Sequence, residues 1–215
     1  NLVSLTKTRS PESGEITRTS RGRSAELADV MGTDVMNALV EIITNSDDAY
    51  IRENDSGRKR VTVEVEARRG APTILRCLDR SIGMTREEMK DSLTVEGGVT
   101  SNFGNSQNLD PRGNKGLGGK DINHFGRTTY KSTKNNETTE LVLEYDKTAT
   151  SRFTITSLNP EKKPGTSVEI EVDGNRFAVP KIDNLRTKLS NHVQLRHILK
   201  DRDNRQILLI KKTGR

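Results

Sequence analysis

Apolar positions fall into two periodicities along this chain. Val35, Leu39, Ile42 and Ile43 recur at three- and four-residue steps, which predicts a helix from Thr33 to about Glu53. Thr33 is placed to cap its start, and Asn54-Asp55-Ser56-Gly57 to stop it. Val61 to Val65 alternates apolar and polar residues, the period of a half-buried strand, and Thr73–Leu78 forms a second strand after the Gly70-Ala71-Pro72 turn. Thr85 to Leu93 predicts a short helix whose Thr85 and Glu88 make a capping box. Gly116 to Asn123 opens another. Strand patterns follow at 126–133, 138–146, 151–158 and 166–172, punctuated by Asn135-Asn136, Thr148-Ala149-Thr150 and Pro164-Gly165. Residues 180–199 are helical in pattern, and Gln206–Lys211 is a last strand. With no internal repeat, the pattern predicts an α+β two-layer sandwich with one long amphipathic helix over antiparallel hairpins.

Composition narrows the class. The 215 residues suffice for one domain with a sizeable core. No apolar run reaches the roughly 18 residues of a membrane span, and nothing at the N-terminus resembles a signal peptide. The single cysteine, Cys77, excludes an intramolecular disulfide and fits a reducing, cytoplasmic compartment. The chain carries a net charge of +6, held at its ends: five basic against two acidic residues in 1–23, and six against two in 200–215. Residues 1–23, rich in Ser, Thr, Arg and Gly, are expected to be a flexible basic arm. Residues 24–199 are the expected domain, and 200–215 a basic segment leading toward a downstream domain. The chain begins with Asn1, so it reads as a piece of a longer protein. The ordinary reading of the basic ends is solvated tails; nucleic-acid binding is the alternative, and steep salt dependence would reveal it.

Four segments carry candidate chemistry. Glu41, Asn45 and Asp48 are spaced i, i+4, i+7 and share one face of the first helix. A carboxylate there can take a proton from an attacking water, and an amide oxygen is a hard ligand suited to Mg²⁺. Asp79 ends an apolar strand before the Gly83 turn, where its carboxylate can accept from an exocyclic amine while Gly83 permits close approach. Gly113-Asn114-Lys115-Gly116-Leu117-Gly118-Gly119-Lys120 exposes backbone N–H groups able to cradle phosphates, but it is neither a Walker A loop nor a Rossmann fingerprint. Thr166, entering a strand after Pro164-Gly165, offers a hydroxyl that can join Asp79 directly or through water.

In order and spacing, these four segments together resemble the GHKL ATPase superfamily, which includes DNA gyrase B, the Hsp90 chaperones, histidine kinases and MutL. The resemblance covers roughly residues 30–175. Glu41-x-x-x-Asn45-x-x-Asp48-Ala49 is similar to its N box, Asp79-x-x-x-Gly83-Met84 to its adenine motif, Gly113-x-x-Gly116-x-Gly118 to its second glycine motif, and Gly165-Thr166 to the last. Ser81 departs from the D-x-G-x-G pattern, where the family has a first glycine.

The resemblance implies a Bergerat fold, with a mixed, mainly antiparallel sheet, helices on one face and ATP between them. It implies Glu41 as the general base and Asn45 as the ligand of an Mg²⁺ carried on the phosphates. It implies that Asp79 takes the adenine amine, with Gly83 and Thr166 completing that site, while Asp48 and Met84 line it. Residues 94–120 would be a lid whose Gly113, Gly116, Leu117, Gly118 and Gly119 close on the phosphates, with Lys115 or Lys120 touching one. Glu41 favours hydrolysis over phosphotransfer to protein. The expected function is the nucleotide-driven clamp domain of a larger protein, pairing with a second copy and slow to hydrolyse ATP alone. The alternatives are a nucleotide sensor with little hydrolysis, or a protein kinase of the same fold.

Overall fold

The computed structural model describes residues 11–16, 31–53, 57, 59–94, 118–145 and 151–213. Its strands are β1 (Glu12–Ile16), β2 (Lys59–Ala67), β3 (Thr73–Leu78), β4 (Gly126–Lys134), β5 (Glu137–Tyr145), β6 (Ser151–Leu158), β7 (Gly165–Val172) and β8 (Arg205–Thr213). They form one eight-stranded sheet in the order β1-β6-β5-β4-β7-β3-β2-β8. Every pair is antiparallel except β2 with β8, which run parallel from Lys59↔Arg205 to Ala67↔Thr213. The architecture is α+β with a mixed, mostly antiparallel sheet, as expected. The β4–β5 connection turns on Asn135 and Asn136, both at positive φ (52° and 61°), the geometry of a type I′ hairpin that asparagine tolerates.

Helices α1 (Met36–Glu53) and α2 (Arg86–Thr94) cover one face of the sheet, with the short α3 (Gly118–Asp121), α4 (Ile182–Asn191) and α5 (Arg196–Lys200). Ile42 and Ile43 both lie in the core with Leu39, against Val61, Val63 and Leu75 of the sheet, and Asp47 and Ser46 are buried with them. The opposite sheet face is charged: Arg76 pairs with Glu64 at 3.0 Å and bonds Glu169 at 2.8 Å, while Arg127 pairs with Glu171 at 2.8 Å. Alternating strand residues therefore separate an apolar inner face from a solvated outer one.

Several local expectations change. The cap of α1 is Asp34, whose carboxylate accepts from the Met36 N–H at 3.0 Å, and not Thr33. The capping box of α2 is present: Thr85 N–H donates to Glu88 Oε2 at 2.7 Å, and Glu88 N–H to Thr85 Oγ1 at 3.2 Å. Within the expected basic arm, Glu12–Ile16 is an edge strand paired with β6, and Glu12 forms ion pairs with Lys90 and Arg86 of α2. The last strand expected at Gln206–Lys211 is present as β8, slightly longer at Arg205–Thr213, and completes the other edge of the sheet. Helical pattern over 180–199 breaks at His192, whose extended backbone (ψ 127°) separates α4 from a 3-10 turn at Val193–Leu195 and from α5. Of the helix expected from Gly116 to Asn123, Gly116 lies outside the described residues; Gly118–Asp121 form α3, and a 3-10 turn at Ile122–Phe125 continues it.

Candidate functional site

Asp79 stands where β3 leaves the sheet, and it is buried with 6% of its surface exposed. Its Oδ1 accepts from the Ser81 N–H (3.1 Å), the Ser81 Oγ–H (2.7 Å) and the Thr166 N–H (3.0 Å). Its Oδ2 accepts from Ser46 Oγ, on α1, at 2.9 Å. The main chain makes a further tie, from Asp79 N–H to the Thr166 carbonyl at 2.9 Å. The expected partnership of Asp79 with Thr166 therefore exists, but through the backbone. The Thr166 hydroxyl instead meets Ser132 Oγ of β4 at 2.9 Å, and Ser132 Oγ also accepts from the Met84 N–H at 2.7 Å.

Gly83 lies between these groups at φ +67°, and a Cβ there would stand 2.1 Å from the Thr133 carbonyl oxygen. Only glycine gives both the left-handed backbone and the close approach to β4. At Gly165, with φ +135°, a Cβ would stand 2.4 Å from the Asp79 carbonyl oxygen. Met84 is partly buried and packs on the core edge beside this pocket. The tight chain path at 79–84 and at 165–166 holds a carboxylate, hydroxyls and backbone polar groups around one small volume.

On the same helix as Ser46, the α1 face carrying Glu41, Asn45 and Asp48 is less buried than the rest of the helix. Asn45 Nδ2–H donates to Glu41 Oε1 at 3.2 Å. That contact uses the amide nitrogen and leaves the Asn45 amide oxygen as the hard donor on this face. Burial pushes the Glu41 carboxyl above the ordinary range and the Asp48 charge adds to this, while the Asn45 hydrogen bond opposes it. Among the described residues no cluster of three or more His, Cys, Asp or Glu is placed to hold a metal by itself.

Gly113, Lys115, Gly116 and Leu117 lie outside the described residues. Gly118, Gly119 and Lys120 form the first three positions of α3. The Gly119 carbonyl accepts from the hydroxyl of Tyr130, a buried residue of β4. Burial pushes the Tyr130 phenol well above its usual range, and the charges of Glu41 and then Asp121 add to it. The end of the glycine-rich segment thus sits on the sheet near Glu41.

Sequence reasoning did not find Ser46, Ser132 or Tyr130. Each does its work by contacting an element distant in sequence, and a serine on a helix face or in a strand carries no local signal of that. It also passed over Asp47, whose buried carboxylate lies 3.1 Å from Arg205 Nε and 3.3 Å from His197 Nε2, tying α1 to β8 and α5. Among the described residues no helix is long and apolar enough to cross a membrane.

The family model described as histidine kinase-, DNA gyrase B-, and HSP90-like ATPase matches residues 33–176, from just before α1 to just beyond β7. No curated protein matches the chain.

Proposed function

Because the chain belongs to the histidine kinase-, DNA gyrase B- and HSP90-like ATPase family, we propose that its two polar clusters form one site that binds ATP with Mg²⁺ and hydrolyses it. The observation that carries this reading is Asp79. It is a buried carboxylate with three donors on Oδ1 and one on Oδ2. Oδ2 retains acceptor capacity for a ligand N–H, as the exocyclic amine of adenine requires. Gly83 and Thr166 shape the space beside it.

The other cluster suits the phosphate end. Mg²⁺, when bound, would neutralise phosphate charge, with Asn45 Oδ1 as the protein oxygen facing it. Glu41 accepts the proton of the attacking water. Its raised pKa suits this role, since a base is most effective when its pKa approaches the working pH. The Asn45 amide orients the Glu41 carboxylate through Oε1. Hydrolysis is favoured over transfer to a protein side chain by this half-buried glutamate beside the metal-facing amide. In the fuller form of the proposal, nucleotide binding drives self-association of the domain, which sedimentation with a non-hydrolysable ATP analogue tests.

Calorimetry with ATP and GTP tests the assignment of Asp79. GTP places an oxygen acceptor where ATP has the amine, so a site built on Asp79 rejects it. Asp79→Asn should weaken ATP binding by about 1.5–3 kcal/mol, the range for a hydrogen bond to a charged group. Equal affinity for the two nucleotides sinks the reading.

A further inference from the structure

Ser81 occupies the position where the resembled adenine motif carries glycine, and the structure gives it work that glycine cannot do. The side chain is fully buried, at 0% exposure. Its backbone needs no glycine: among the described residues only Asn135 and Asn136 are non-glycine positions at positive φ. The single hydroxyl proton of Ser81 goes to Asp79 Oδ1, at 2.7 Å, beside the N–H of the same residue and the N–H of Thr166. Three donors crowd one oxygen, while Oδ2 has one, from Ser46.

A carboxylate turns readily about its terminal torsion, which is broad and roughly two-fold. Three donors arriving at Oδ1 from two separate chain segments restrict that turn. They make the two oxygens inequivalent and fix the direction in which Oδ2 offers its remaining lone pair. A donor held at hydrogen-bond distance is worth most when its acceptor is already oriented.

We propose that Ser81 is a positioning residue for purine recognition: it pins Oδ1 of Asp79 so that Oδ2 alone is presented to the 6-amino group of the base. This rests on the ATP-binding reading above. The selectivity of the site for an amino-purine then depends on a side chain that does not touch the ligand amine.

The test is calorimetric titration of wild type, Ser81→Ala and Ser81→Gly with ATP and with purine riboside triphosphate, which lacks the amine. Ser81→Ala removes only the hydroxyl. Its ATP affinity should fall about tenfold, because the amine then meets a carboxylate that is no longer pre-oriented. Its affinity for the amine-free nucleotide should stay within about twofold, since that ligand makes no demand on Oδ2. Ser81→Gly, the residue of the resembled pattern, should show the same split and guards against misfolding of the alanine variant. An unchanged ATP affinity, or an equal loss for both ligands, overturns the proposal and leaves the ATP site standing. Wild-type protein that fails to bind ATP, or binds both nucleotides equally, overturns the reading of Asp79 itself and this proposal with it.

Discussion

Ser46 and Asp79, thirty-three positions apart, are joined by a buried 2.9 Å hydrogen bond from Ser46 Oγ to Asp79 Oδ2. It links the long helix to the end of the third strand. Glu41 and Asn45 sit on that same helix, so the bond couples the two polar clusters through rigid secondary structure. Ser46→Ala leaves the carboxylate short of a donor in a dry environment. The expected cost is about 1–3 kcal/mol of stability, read as a lower urea midpoint with an unchanged m-value.

Glu41→Gln should abolish phosphate release while ATP still binds, because the amide cannot accept the water's proton. The wild-type pH profile is a second check. Glu41 acts as a base only when ionised, and burial raises its pKa above the usual value of 4.5. Activity should therefore be lost on acidification at a pH above 4.5, since kcat/KM follows ionisations of the free enzyme. An acidic limb at or below the ordinary carboxylate value would dismiss Glu41 as the base.

Arg205→Ala leaves Asp47 buried, at 3% side-chain exposure, with the His197 ring nitrogen Nε2 at 3.3 Å. Removing one partner of a buried pair costs about 3–5 kcal/mol. Arg205 is itself only 15% exposed, so solvent screening of the pair is slight. The double variant Arg205→Ala/Asp47→Asn should be more stable than additivity of the single changes allows. Chemical denaturation of all four proteins gives the coupling.

His124 packs edge-on against Phe125 and Phe177, and burial followed by the charge of Arg176 holds its pKa below 6.5, against a bond to the Gly32 backbone. Its folded form resists protonation, so the unfolded chain binds more protons as pH falls through about 6.5. Stability should decline from pH 7.5 to 5.5, ahead of the carboxylates that titrate lower. His124→Gln should flatten that decline in urea titrations at the two pH values; an identical slope would show that the protonation cost lies elsewhere.

Local signals carried much of this far. The periodicity of Val35, Leu39, Ile42 and Ile43 located the long helix, because one face of it has only the core to meet. Thr85 with Glu88, and Asn135-Asn136, are signals complete within four residues, and the structure builds the box and the turn from them. The juxtaposition of Asp79 with residue 166 was legible as a motif order, but the atom that makes the contact was not. Choosing the Thr166 N–H over its hydroxyl depends on Ser132, which reaches the pocket only once β4 lies beside β7. One edge strand, β1, and the direction of the other, β8, escaped for a different reason. A short polar run such as Glu12–Ile16 becomes a strand only when β6 offers its open edge, and nothing within β8 specifies that it runs parallel to β2.

That parallel pair has a consequence for how the chain reaches its native state. Arg60 and Gln206, which bond across it, are 146 positions apart. Closing a loop of that size costs entropy that grows only as the logarithm of its length, so the equilibrium penalty of placing β8 last is modest. The kinetic penalty is not, since pairings between remote segments form late. Asp47 is buried against Arg205 of that strand, so a chain in which β8 has not yet docked leaves this carboxylate without its guanidinium partner.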